Sequence, residues 1–376
     1  MRSLQGKGWF IWQIPRCEGG DPEAIAGRAV EAGCTHVLLK VAERTFAFGL
    51  DRFGRDLAAP VVAALQARGL QAWGWHYVYG DNPTGEAAVA VQRTRQLKLD
   101  GYVIDAEKEY KLPGKAVAAR MYMNTLRQGL PETPIALSSY RYPSLHQQLP
   151  WAVFLEKCDY AMPQVYWEQA HNPAQQLARC VAEYSDARLV GAVRPVIPTG
   201  AAYGVGQWRS TPGDLREFFR QALALKLPAA NLYSWDFTNL PGNADLWEAA
   251  ARVDWPGPEG EPDIVARWGA ALNAGDLDGL LALYDPNPAH ITPRRTLVGR
   301  EPLRGWYTDL LQARLRGARF TVQPGEPFPG ATPASGAHFR RFRWQASAGE
   351  VQVEADDIIG LRDGRIAYHT TSFALL

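Results

Sequence analysis

Cysteine is scarce in this chain. Cys17, Cys34, Cys158 and Cys180 are the only four in 376 residues. No two stand at CxxC spacing, so neither a disulfide framework nor a thiolate metal site is expected, and they read as buried free thiols. Seven histidines are scattered without an HxH or HExxH pattern, so no metal or other cofactor is expected. Excess charge is also missing: 40 Lys+Arg against 39 Asp+Glu leave a formal charge of +1. That balance removes the electrostatic footprint of a nucleic-acid or anionic-membrane binder. Arg340, Arg341 and Arg343 do cluster, but they are interleaved with Phe339, Phe342 and Trp344 and read as one solvated strand face. No apolar run approaches the ~18 residues needed to span a bilayer. Residues 1–10 lack the apolar core of a signal peptide, which gives a cytoplasmic expectation.

What is present is an alternation. Eight β-rich segments are expected at Gly8–Ile14, His36–Glu43, Gln71–Tyr79, Gly101–Glu107, Pro134–Tyr140, Asp159–Trp167, Val193–Thr199 and Ala229–Phe237. Amphipathic stretches such as Asp21–Gly33, Leu57–Gly69, Thr84–Leu97 and Pro212–Leu225 lie between them. Asp21-Pro22 and Thr211-Pro212 place a capping residue before a proline at the first helical position, and Gly33 and Gly69 sit where helices stop. Strand–helix alternation implies parallel βαβ units. Eight units in about 250 residues imply a closed α/β (β/α)8 barrel over 1–253. An open doubly wound sheet is the alternative, but no GxGxxG follows the first strand.

Composition changes at Asp254–Pro262, a proline- and glycine-rich linker. Beyond it, over 263–376, helices are expected first (Ile264–Ala274, Leu277–Tyr284, Pro302–Leu315). Strands follow at Arg319–Gln323, His338–Ala346, Val351–Leu361 and Ile366–Phe373. This is the pattern of an α+β cone. The segments ALNAGDLDGLLALY (271–284), LVGRE (297–301) and DGRI (363–366) resemble the SnoaL-like branch of the nuclear transport factor 2 fold. That fold hosts isomerases, hydrolases and dimerising modules alike. Tyr284, Asp285, His290, Asp356 and His369 are candidates for the lining of a cone pocket, against the plainer expectation of a packing or homodimerising module.

In a barrel of this kind, chemistry sits at the C-terminal ends of the strands. The polar residues there are Glu43, His76, Asp105, Glu107, Tyr140, Gln164, Tyr166 and Asp236; Trp167 and Trp235, also at strand ends, are expected as sugar platforms. The sharpest feature is Asp100-Gly-Tyr-Val-Ile-Asp-Ala-Glu107. Alternate strand residues share a face. If Val103 and Asp105 point inward, Glu107 emerges at the rim. Two carboxylates this close cannot both ionise easily, so one is held toward its neutral form. A proton kept near neutral pH suits protonation of a glycosidic oxygen.

This segment resembles the strand-4 motif of glycoside hydrolase family 18, Asp-Gly-x-Asp-x-Asp-x-Glu. Asp100, Gly101, Asp105 and Glu107 match, and Val103 stands where the motif has its middle aspartate. The strand-3 text AWGWHYVY (72–79) is similar to family 25 lysozymes, DYAMPQVYW (159–167) to strand 6 of both families, and LYSWDF (232–237) to their aromatic-ended strand 8. Where family 25 carries an aspartate on strand 1, this chain offers Gln13. The resemblance implies cleavage of β-1,4-linked N-acetylhexosamine polymers, with Glu107 as acid and Asp105 orienting the acetamido group that acts as internal nucleophile. Such polymers lie outside the cytoplasm, so release as a phage-type lysin is the alternative location. The alternative functions are a catalytically silent glycan-binding barrel and small-molecule activity in the C-terminal cone.

Overall fold

The computed structural model describes residues 4–255, 264–324, 338–349, 351–362 and 365–375. Eight parallel strands form its first unit: β1 (Gly6–Ile11), β2 (His36–Glu43), β3 (Gln71–Val78), β4 (Gly101–Ala106), β5 (Ile135–Tyr140), β6 (Tyr160–Val165), β7 (Thr199–Ala201) and β8 (Ala229–Tyr233). Each pairs with the next, and β1 pairs with both β8 and β2, so the sheet closes into a barrel. Its α-helices of five residues or more are α1 (Pro22–Glu31), α2 (Ala58–Ala67), α3 (Pro83–Leu97), α4 (Lys115–Gly129), α5 (Trp151–Leu155), α6 (Pro173–Tyr184), α7 (Pro212–Ala224) and, after the last strand, α8 (Ala244–Ala251). Local chemistry sets their starts. The Asp21 carboxylate accepts from the Glu23 and Ala24 N–H groups, and Thr211 with Asp214 closes a capping box on α7.

Strand alternation sorts the side chains into two layers. Phe10, Leu38, Trp73, Trp75, Val103, Ala136, Met162, Ile197 and Ala229 fill the barrel interior. Their neighbours Ile11, Leu39, Ala72, Tyr102, Ile104, Leu137, Ala161 and Leu232 pack outward under the helices. Glycine is required where the interior is tightest. A Cβ on Gly101 would meet the Trp73 ring at 2.4 Å, and one on Gly8 the His36 ring at 2.2 Å.

The seventh strand departs from the expected Val193–Thr199. Regular pairing runs over Thr199–Ala201, preceded by a lone bridge from Val196 to Ala161. Pro195 and Pro198 remove two ladder donors there. All four cysteines are free and buried. Among the described residues, no cluster of His, Cys, Asp or Glu could hold a metal, and no helix is long and apolar enough to cross a membrane.

The second unit begins with α9 (Ile264–Ala274) and α10 (Leu277–Ala282), and adds α11 (Arg300–Asp309). Its six-stranded sheet comprises β9 (Tyr284–Ile291), β10 (Thr296–Val298), β11 (Arg319–Pro324), β12 (His338–Ala348), β13 (Val351–Arg362) and β14 (Arg365–Leu375), in the order β10-β9-β14-β13-β12-β11. Two of these, β9 and β10, precede α11, whereas the sequence pattern puts every strand after the helices. The prolines and turn formers of Tyr284-Asp-Pro-Asn-Pro288 hide β9, whose register against β14 slips between Tyr284 and Ala289.

The chain divides into compact units Met1–Trp255 and Pro256–Leu376. Of the expected linker, residues 256–262 lie outside the described ones, as do residues 363–364 of the DGRI segment. Trp255 belongs to the barrel, with its ring 6.1 Å from that of Phe219 on α7. A fragment ending at Trp255 is therefore expected to fold alone with a cooperative melt. Aggregation that co-expressed 256–376 rescues would instead mean an obligate interface.

Candidate active site

Asp105 continues the inward row of β4 above Val103, and Glu107 follows at the barrel mouth. Ser138 on β5 and Gln164 on β6 point inward by the same alternation, above Ala136 and Met162. The Gln164 amide nitrogen donates to Asp105 Oδ1 at 2.9 Å, to Glu107 Oε1 at 2.9 Å and, more weakly, to Ser138 Oγ at 3.4 Å. One amide therefore ties both carboxyl groups together.

Burial pushes the Asp105 carboxyl well above the ordinary range; the Glu107 charge adds to this and Lys40 opposes it. Burial also raises Glu107, against the Gln164 hydrogen bond. Two carboxyl groups this close do not ionise independently of each other. Lys40 does not pair with either of them. It is 6% exposed, lies 2.7 Å from Glu43 Oε2, and sits over the rings of Phe48 and Trp75 at 4.5 and 5.0 Å. The Lys40 hydrogen bond holds the Glu43 carboxyl below its usual range, and Tyr79 donates to the other Glu43 oxygen at 3.2 Å.

Tyrosines wall the mouth. Tyr77 donates to Glu109 at 2.9 Å, and Tyr140 lies under the Lys111 ammonium at 4.0 Å and stacks on His146 at 3.8 Å. The Tyr166 ring packs against Tyr203 and Tyr233 at 5.3 and 6.1 Å. Burial first, then the charges of Glu107, Glu109 and Asp105, push the Tyr140 phenol up to about 12. Burial likewise raises Tyr77, Tyr166 and Tyr233, with Asp105 and Glu107 among the contributing charges.

The structure thus brings Asp105, Glu107, Gln164, Tyr140, Tyr166 and Glu43 to one end of the barrel. Three expected site residues, His76, Trp167 and Trp235, lie elsewhere, and Asp236, at the same end, is taken up by backbone N–H groups. His76 sits on the helix-facing side of β3, fully buried, with Nδ1 2.6 Å from Tyr102 OH and Nε2 2.8 Å from the Arg44 carbonyl. Its parity is opposite to that of Trp75. Trp167 is fully buried against Phe218 at 5.4 Å. Trp235 is fully buried against Trp247 at 4.4 Å, with its indole N–H on Glu18. Neither indole can stack on a sugar. Asp236 accepts the Trp12 and Gln13 N–H groups at 2.8 and 2.6 Å, fixing the chain as it leaves β1. Tyr77, Glu109, Tyr233 and the partly exposed Trp12 were missed. Parity counted inward from Val103 and Trp75 would have found Tyr77, and counting from Ala229 would have found Tyr233. The motif's Asp100 lies at the other end of β4, accepting from Ala72 N at 2.8 Å and Gln66 Nε2 at 3.0 Å.

In the second unit, Tyr284, His290 and His369 are fully buried together. The carboxylate among them is Asp357, not Asp356. Asp356 faces outward to Arg341 and Arg343 at 3.2 and 3.1 Å, and Asp285 pairs with Arg362 at 3.1 Å.

Comparison with known proteins fits this division. Residues 265–369 match the SnoaL-like domain family. Solved structures similar to this part include a nuclear transport factor 2-like protein of unknown function from Burkholderia xenovorans. It is 18% identical, covering 30% of this chain and 80% of that one, at a TM-score of 0.24. Another is Bal32a from a soil-derived mobile gene cassette, 23% identical over 29% of this chain and 86% of that one, at 0.24. A family 18 chitinase from Cycas revoluta, in complex with allosamidin, is 11% identical over 65% of this chain and 98% of that one, at 0.48. The family 25 resemblance gains no support from these matches. No curated protein matches. The chain is an eight-stranded parallel barrel followed, over residues 265–369, by a SnoaL-like domain.

Proposed function

We propose that the barrel is a glycoside hydrolase acting on β-1,4-linked N-acetylhexosamine polymers of the peptidoglycan or chitin type. The observation that carries this is the pairing of buried Asp105 with half-buried Glu107, tied by the Gln164 amide at the strand C-termini. Glu107, raised by burial, is the general acid that protonates the leaving oxygen. Asp105 orients and polarises the acetamido group, as the family 18 resemblance implies, and the tyrosine wall offers ring faces and hydroxyls to a sugar chain.

Val103, where the resembled motif has an aspartate, favours one alternative, a barrel that binds glycan without cutting it. Loss of turbidity from bacterial cell walls and release from chromogenic chito-oligosaccharides decide between them. Binding measured by calorimetry without either signal would leave a glycan reader and remove the hydrolase.

We further propose that the SnoaL-like domain mediates self-association. Val298, Ile291, Tyr368 and Phe339 are exposed by 57, 43, 46 and 39%. Register places them on one continuous outer face, through the pairs Ala289–Val298, Ile291–Thr370, Tyr368–Gly360 and Gly360–Phe339. A contiguous apolar face of this kind is usually covered. Light scattering is expected to give a dimer for the full chain and a monomer for residues 1–255; two monomers would end the idea.

A further inference from the structure

Alternate strands of an eight-stranded barrel share each interior layer. In this barrel the backbone ladder tells which residues meet in the uppermost one. Asp105 is level with Ser138 on β5 and Met162 on β6, yet it accepts from Gln164, two residues further on. A move of two strands therefore climbs two residues. The layer beneath keeps the same step: Phe10 is level with Leu38 and Trp73, and its ring meets that of Trp75 at 6.0 Å. From β2 the step joins Lys40, level with Trp75 and Val103, to Asp105. It takes Gln164, level with Thr199 and Asn231, to Tyr233. Because Asn231 is level with Gly8 and His36, it then returns Tyr233 to Lys40. The ring closes. One cation, one acid, one amide and one phenol roof the barrel.

The cation is shielded from water. Lys40 is buried, its ammonium lies 4.5, 5.0 and 5.7 Å from the rings of Phe48, Trp75 and Trp12, and it bonds one carboxylate, that of Glu43. A charge so enclosed acts further than one in solvent. Below Asp105 its own strand offers only Val103, so a charge that favours ionised Asp105 has to come from the side. Lys108, the cation acting on Glu107, is exposed and screened.

We propose that Lys40 is a positioning residue for the acid pair: from within the roof layer it favours ionised Asp105 and so leaves the pair's proton on Glu107, where the leaving oxygen takes it. This rests on the hydrolase reading of the barrel. Lys40 opposes the upward push that burial and the Glu107 charge exert on Asp105. The other charged groups are Glu109, acting on both carboxyls, Lys108 on Glu107, and Arg44 beside Glu43. Burial raises the phenols of Tyr77, Tyr79, Tyr140, Tyr166 and Tyr233 and lowers His76, behind β3, to about 4, so all six are neutral at pH 7.

The test sets Lys40→Met beside Lys40→Arg and has two readouts. One is kcat against pH on chromogenic chito-oligosaccharides; the other, without substrate, is the side-chain carboxyl 13C shift of Asp105 against pH. With the cation gone, Asp105 holds its proton longer. In Lys40→Met its titration and the alkaline limb of kcat should both rise by about one pH unit, the low end of what a neighbouring opposite charge is worth. A proton drawn to Asp105 is lost to Glu107, so kcat at pH 7 should fall about tenfold, as one pH unit implies, with KM little changed. Lys40→Arg should return both readouts toward wild type. Lys40→Gln, which still offers Glu43 a donor, takes the place of the methionine variant should that fail to fold. An Asp105 titration that stays in place in the uncharged variant overturns the proposal, as does a loss of rate with the alkaline limb unmoved. A wild type that cleaves no glycan, while its Asp105 still follows the charge of Lys40, removes the hydrolase reading and leaves the charge control standing.

Discussion

Glu107→Gln is expected to lose ~10²- to 10⁴-fold in hydrolysis rate, the usual contribution of general acid catalysis, while keeping fold and glycan affinity. The amide conserves shape and can still take part in the Gln164 hydrogen-bond cluster, but it has no proton to give. Asp105→Asn should act differently. In the wild-type pair, burial and mutual repulsion hold the last proton until Asp105 releases it, well above the ordinary range. With asparagine present, no second carboxyl shares in holding the proton, and the limb follows Glu107, which burial raises. The alkaline limb of the rate profile therefore moves to lower pH, a change that a merely structural Asp105 would not produce. Hydrolysis undiminished in Glu107→Gln would place the active site elsewhere.

Acid is expected to destabilise the barrel steeply between about pH 6.5 and 4. His36 and His76 are both fully buried, and burial lowers each from 6.5 to about 4. Across that window the unfolded chain binds two protons that the folded barrel refuses, so stability is complete above the unfolded value and drains as pH falls toward the folded one. A difference of one pH unit between the folded and unfolded values is worth about 1.36 kcal/mol, so each histidine contributes roughly 3 kcal/mol over the full window. Chemical denaturation at pH 7, 5.5 and 4.5 measures the slope. His76→Gln should be less stable than wild type at pH 7, yet lose stability more gradually on acidification, by up to about 1.4 kcal/mol per pH unit. Parallel slopes for variant and wild type would show that His76 does not carry the effect. The variant comparison isolates the histidine, because Asp105 and Glu107, both raised, act in the opposite direction in either protein.

Much of the barrel was legible because strand parity and helix punctuation are local. Asp21-Pro22, Thr211-Pro212 and the inward row of Val103, Asp105 and Glu107 follow from residues within a few positions of one another. The differences share a cause: a position near a strand end does not by itself face the mouth. Trp167 and Trp235 lie just past their strands, where the chain has turned outward, and His76 sits at the wrong parity. Tyr233, two residues before Trp235, is the aromatic that stays in register. Long-range partners were invisible for the same reason. Nothing near Gln164 in sequence announces that its amide will bridge two carboxyls about sixty positions away. In the second unit, Asp356 and Asp357 are neighbours on one strand, so a one-residue difference in parity sent the first to solvent and the second into the core.

The way the barrel closes carries a consequence for its synthesis. The first strand pairs with the last, Lys7 donates to the carbonyls of Ala250 and Ala251 at the end of α8, and Asp236 takes the N–H groups leaving β1. The earliest segment made is thus completed by the latest. A nascent chain can stack β2 through β7 as they emerge, but the ring stays open along β1 until α8 has cleared the ribosome. At ~5–20 residues per second, that leaves the unpaired edges of β1 and the growing sheet exposed for tens of seconds. Slow translation near the end of the barrel, or premature termination before Ala250, would therefore yield an aggregation-prone open sheet and not a smaller barrel.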